Sequence, residues 1–95
     1  MTAAISLSDF TIHSRKEGEF ESKLLVSPST MDSGDTVDIT TIMHGRKVVG
    51  LTGWDTTNGD SVTATFATTT DVITVDVGGS DTDAVYVLKL DLLHI

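Results

Sequence analysis

Apolar and polar side chains alternate along most of this chain. Val62, Ala64 and Phe66 share one phase, and Ser61, Thr63 and Thr65 take the other. Ile73, Val75 and Val77 alternate with Val72, Thr74 and Asp76. The same period runs through Val37, Ile39, Thr41 and Met43, and through Phe20, Ser22, Leu24 and Val26 against Glu19, Glu21, Lys23 and Leu25. In the last stretch, Tyr86, Leu88, Leu90 and Leu92 alternate with Val85, Val87, Lys89 and Asp91. Period two in five segments predicts strands with one buried and one wet face. No stretch carries the apolar spacing of an amphipathic helix of ten or more residues.

Turn residues separate the periodic segments. Ser27-Pro28-Ser29 and Asp32-Ser33-Gly34-Asp35 come first. His44-Gly45-Arg46 predicts a tight hairpin in which Gly45 supplies a positive φ. Asn58-Gly59 is a strong hairpin dipeptide, Thr69-Thr70-Asp71 a short connection, and Gly78 to Asp83 the last turn. Residues 36–95 thus read as an antiparallel meander, because short connections favour antiparallel neighbours. Residues 1–35 are less regular and contain two strands and a possible arm. Ile5 and Leu7 share a phase that Phe10 and Ile12 reverse, which predicts a bulge or bend near Ser8-Asp9. The expected strands are roughly 3–13, 19–27, 36–43, 47–54, 61–68, 72–77 and 84–95. About seven short strands in one domain predict an all-β fold, a single antiparallel β-sandwich of jelly-roll or Ig-like kind.

Composition narrows the function classes. The chain has 95 residues, no cysteine, 16 threonines, and 14 acidic against 6 basic side chains, for a net charge of −8. A chain of this length holds one small core. Absence of cysteine excludes a disulfide scaffold, a thiol nucleophile and Cys-ligated zinc. No apolar run approaches a membrane-spanning length, and Met1 to Ser6 lacks the basic start and apolar stretch of a secretory signal. An acidic surface repels phosphate backbones, so nucleic acid is not the expected partner.

Candidate chemistry is thin. His13, His44 and His94 fall in three separate segments without metal-ligand spacing. Asp55 to Asp60 begins like a calcium loop, but the third position is Thr57, Gly59 is fifth and the twelfth is Phe66, so an EF-hand fails. Asp55, Asn58 and Asp60, like Asp81 and Asp83, offer the oxygens of a weak calcium site, but the favoured reading is ordinary turn residues that bond their own backbone. No G-x-S-x-G elbow is present. The chain is expected to be no enzyme, with no catalytic residue, cofactor or metal.

Contact with other chains is the better prospect. Trp54 ends a strand beside a turn, as an edge-of-core residue or a partner anchor, and Phe10 and Phe20 carry the same two readings. Arg15-Lys16 is one of two basic pairs on an acidic chain. The end of the chain carries apolar residues on both strand faces up to Leu93 and Ile95. That pattern suits a strand central in its sheet or one covered by another subunit. The partner-binding candidates are therefore Phe10, Arg15, Lys16, Phe20, Trp54, Leu93 and Ile95.

Features from Thr36 to Leu93 follow a compact order. K-V-V-G-L-T-G-W (47–54) precedes Asp60-Ser61-Val62, then I-T-V-D-V-G-G-S (73–80), an Asp/Thr-rich turn and Val85-Tyr86-Val87. This order resembles small all-β structural proteins of tailed phages, of the capsid decoration (cement) type; none of residues 1–35 takes part. The resemblance implies a non-enzymatic virion protein that stabilises a phage head and brings no catalytic residues. Its expected partners are the major capsid protein and further copies of itself, such as a trimer. Its expected place is the capsid surface, after assembly in the host cytoplasm. The alternatives are a carbohydrate-binding or adhesion module built around Trp54, and a tail or connector component of a virion.

Overall fold

The computed structural model describes residues 4–29, 31–32, 34–76 and 84–94. Their strands are β1 (Ala4–Ile5), β2 (Thr11–Glu17), β3 (Phe20–Val26), β4 (Thr36–Asp38), β5 (Lys47–Asp55), β6 (Asp60–Ala67), β7 (Val72–Asp76) and β8 (Tyr86–Leu93). One short helix, α1, spans Thr40–Met43. The fold is all-β. The eight strands form one mixed sheet, in the order β1-β4-β7-β6-β5-β8-β3-β2, curled into a half-barrel. Among the described strands, β1 and β4 pair in parallel and the other neighbours are antiparallel.

The curl is set within β6. Ser61 and Val62 pair with β5, whereas residues 63–67 pair with β7. Gly53 lies opposite Val62, and a Cβ at Gly53 would run into Val62 and stand 3.2 Å from Leu88. Missing that side chain lets the bent strands close over the core. Residues from both halves of the sheet then meet in one cluster: Val37, Ile73 and Val75 from one side, Leu25, Leu88, Leu90 and Leu92 from the other.

Several expectations change here. The predicted strand 3–13 is broken by a 3-10 turn at Leu7–Asp9, where the Asp9 and Phe10 amides donate to Ser6 and Leu7 carbonyls at 3.0 Å. The phase reversal marks a change of sheet edge, since β1 and β2 occupy opposite ends of the strand order. The predicted strand 36–43 stops at Asp38, whose carboxylate accepts the Thr40 amide at 2.9 Å and the Thr40 hydroxyl at 2.6 Å. That starts α1, which packs Ile42 and Met43 onto the core behind buried Ile39. A short apolar run fits either period, and here the Asx-type bonds of Asp38 turn the chain out of the strand ahead of α1, whose N-cap residue Ile39 makes no side-chain bond.

His44-Gly45-Arg46 is therefore no hairpin. His44 and Gly45, with φ of 52° and 76°, end α1 in left-handed conformation. The chain then crosses the sheet, because β4 sits between β1 and β7 while β5 sits between β6 and β8. The meander holds for β5, β6 and β7 only. Their turns match expectation, with Gly59 at φ 74° after Asn58 and a reversal at Asp71. The predicted turn from Gly78 to Asp83 lies outside the described residues, but β7 and β8 are not neighbours. β8 lies between β5 and β3, and this central place explains its apolar length.

Candidate functional site

Strand register builds a broad outer face from four neighbouring strands. Side chains alternate between faces. Since Tyr86, Leu88, Leu90 and Leu92 point into the core, Val87, Lys89, Asp91 and Leu93 point away from it. Pairing extends this outward set into four rows. Glu17, Phe20, Leu93 and Lys47 form the first, and Arg15, Ser22, Asp91 and Gly50 the second. His13, Leu24, Lys89 and Thr52 form the third; Thr11, Val26, Val87 and Trp54 form the fourth.

This face is apolar where water is expected. Trp54 is 49% exposed, Leu24 40% and Phe20 37%. Val49, the extra residue where β5 slips register against β8, is 51% exposed. Between the apolar groups lies a depression of about 310 Å³, lined by Arg15, Glu17, Phe20, Ser22, Lys89 and Asp91. The Ser22 hydroxyl donates to Asp91 Oδ1 at 3.0 Å, and Lys89 Nζ is 3.9 Å from Asp91 Oδ2. Arg15 Nε lies 3.5 Å from Glu17 Oε1, with both side chains largely in water. Such loose, solvated pairs contribute little to stability and leave the cations able to turn to another partner.

The expected contact residues divide. Phe20, Trp54, Leu93 and Arg15 are brought together on this face. Trp54 and Phe20 are outside the core, against the edge-of-core reading. Phe10 is buried in the core. Lys16 is exposed but takes the opposite phase, opposite Glu21 on β3. Ile95 lies outside the described residues. Leu24, Val26 and Val87 belong to the face and were not singled out from the sequence. The signal was there, since Phe20, Leu24 and Val26 share a phase, but a lone strand does not show which phase turns inward.

The inner phase of β3 is charged. Glu21 and Lys23 are each only 6% exposed, next to buried Leu25. Lys23 Nζ lies 2.9 Å from Glu21 Oε2 and donates to Ser14 Oγ at 2.9 Å. Arg46 Nη1 approaches Glu21 Oε1 at 3.4 Å. The Lys23 hydrogen bond holds the Glu21 carboxyl below its ordinary value of 4.5 against the opposing cost of burial, with help from the Lys23, Arg46 and Lys16 charges. Arg46 comes from the turn after α1, so this polar corner ties that turn to β3.

The turn acids are occupied by backbone. Asp55 is fully buried; its Oδ1 accepts the Thr57 and Asn58 amides at 2.9 and 3.1 Å, and its Oδ2 accepts Asn58 Nδ2 at 2.8 Å. Asp55 thus closes the β5–β6 hairpin from the core side, away from Trp54. The hairpin is latched to the chain before β8, with Thr56 amide and hydroxyl both donating to the Val85 carbonyl at 2.9 Å. Among the described residues no three His, Asp or Glu side chains gather as a metal site. His94 lies 2.8 Å from Glu19 in the open, far along the chain from His13 and His44. A larger cleft of about 560 Å³ beside β1 and α1 holds Asp38, whose carboxyl the Thr40 hydrogen bonds keep below the usual range. No protein-family model matches the chain, no curated protein matches it in sequence, and no solved structure matches its fold.

Proposed function

We propose that this chain is a virion structural protein without enzymatic activity, of the capsid decoration kind. In this reading it acts on the surface of a phage head, with the major capsid protein and further copies of itself. The supporting observation is the outer face. Phe20, Leu24 and Trp54 stand in water on strands fixed by pairing across the sheet. Burying such groups against another surface gains about 25 cal/mol per Å². Where copies are joined to one another, contacts that are small singly hold together by avidity. The resemblance of residues 36–93 to decoration proteins supports the same reading. The finer fold belongs with it: the two halves of the curled sheet pack across one core as the layers of a jelly-roll or Ig-like sandwich do.

The test is sedimentation of the purified chain with phage capsids lacking their decoration protein. Saturable binding is expected, with Trp54 emission shifting to shorter wavelength as the ring leaves water. Leu24→Asp should weaken it at least tenfold while the fold survives. Absence of saturable binding sinks the proposal.

A further inference from the structure

We propose that the free edge of β2 takes an acidic, extended segment of a partner protein as a further antiparallel strand. This contact lies at the rim of the sheet and stands whether or not the outer face binds a capsid.

β2 ends the strand order, and among the described residues it pairs with β3 alone. Gly18 and Glu19 join the two strands, with Gly18 at φ 59° in the first central position of a two-residue hairpin turn. Glu17 and Phe20 are then the first pair to exchange both main-chain bonds, and such pairs alternate along an antiparallel ladder. Thr11, His13, Arg15 and Glu17 therefore direct their N–H and C=O groups to β3. Ile12, Ser14 and Lys16 direct theirs to the open edge. The strand lies in water over all its length except Ile12. The opposite rim of the sheet is β1, of two residues. β2 is thus the edge long enough to template another strand.

Charge selects the incoming strand. The chain carries −8 overall, yet β2 holds Arg15 and Lys16, two of its six basic residues, against Glu17. Lys16 lies opposite Glu21, whose carboxylate is already met by Lys23 and Arg46 at 2.9 and 3.4 Å. Arg15 holds Glu17 only through a solvated contact. Both cations keep positive charge for a carboxylate brought up from the edge. Arg15 and Lys16 point to opposite faces of the sheet, so two adjacent acids on the incoming strand meet one each. A second copy is the poorer occupant. Antiparallel pairing of two β2 strands centred on Ser14 brings no carboxylate opposite either cation, and centring it on Arg15 or Lys16 sets that cation against itself. The edge charges repel their own kind in this way, while the main-chain groups stay open to a strand of opposite sign.

The experiment titrates the purified chain with the peptide acetyl-Thr-Glu-Glu-Val-Thr-Val-Thr-amide and follows amide hydrogen exchange by NMR. Before peptide is added, the Ile12, Ser14 and Lys16 amides should exchange faster than those of His13 and Arg15. Saturating peptide should slow those three about tenfold or more. A peptide with Lys in place of both Glu should bind about tenfold more weakly, and so should the acidic peptide to the Arg15→Glu variant. N-methylation of the peptide's second, fourth and sixth residues, whose amides face β2, should abolish binding, whereas N-methylation of its third and fifth should not. Arg15 is exposed, and circular dichroism checks that the variant folds. No binding up to millimolar peptide, equal binding of the Lys peptide, undiminished binding to Arg15→Glu, or indifference to the position of the methyl groups overturns the proposal. No capsid is present, so failure here leaves capsid binding standing, and failed capsid binding leaves the edge contact standing.

Discussion

Strands β3 and β8 are hydrogen-bonded neighbours with opposite habits. β8 turns Tyr86, Leu88, Leu90 and Leu92 into the core and leaves Lys89 and Asp91 outside. β3 buries Glu21 and Lys23 and sets Phe20 and Leu24 in water. Both obey period two. They differ in which phase is apolar, and β3 is held in register by β8. With Leu25 opposite Leu88 and Lys23 opposite Leu90, β3 has no freedom to roll its apolar side inward. A one-residue slip would put Leu25 outside and break the Glu21–Lys23–Arg46 contacts. In the isolated chain β3 gains from hydrophobic burial mainly through Leu25, while Phe20 and Leu24 stay in water.

The sharpest way to break the comparison is paired truncation. Leu88→Ala on β8 should cost about 2–5 kcal/mol, because it empties a fully buried site. Leu24→Ala on β3 should cost under about 0.5 kcal/mol in the purified chain, as surface changes do. Urea unfolding reads both, and equal losses would mean that β3 has been assigned the wrong inner phase.

Next in size is the polar corner. Glu21→Leu leaves Lys23 and Arg46 buried without their carboxylate and should cost about 3 kcal/mol. A change below about 0.5 kcal/mol in the same denaturation assay would show that Glu21 lies in water.

Gly53→Ala is expected to cost about 1–3 kcal/mol by overpacking against Val62 and Leu88. Gly50→Ala meets the side chain of Asp91, with Oδ2 nearest at 2.9 Å and no backbone among the nearest atoms, and should cost less, so the ratio of the two measures how tightly the curl at β6 is closed.

The smallest expected effect is on acid stability. The folded-state pKa of Glu21 is depressed, so its stabilisation is complete above the unfolded value near 4.5 and is lost as pH falls through the depressed value. Glu21→Gln should flatten the fall in thermal midpoint below pH 4.5 and leave the slope between pH 6 and 8 unchanged. An unaltered acid limb would remove Glu21 from the buried corner.

Much of the local structure was legible in the residues. Asn58-Gly59 and Thr69-Thr70-Asp71 make the turns that the sequence predicts, because turn chemistry acts over a few residues. Residues 36–43 misled because alternating Val37, Ile39, Thr41 and Met43 satisfy a strand, while the Asp38 carboxylate starts a helical turn. Trp54 and Phe20 were legible as candidates for partner contact but not as members of one face. Their association needs β8 between β3 and β5, and the order of strands is not a local property.

The sequence by itself determined the all-β class, the period of each strand and the hairpins within β5–β7. Each depends on side-chain sterics within a short segment. It also spread acids through the turns, where Asp55 and Asp35 fasten backbone amides. Only the tertiary structure decided that β8 is central, that β4 and β5 lie apart, and that the apolar phase of β3 turns outward. Those outcomes follow from register and burial summed over neighbouring strands. A strand's alternation defines two faces, and its neighbours decide which of them is inside.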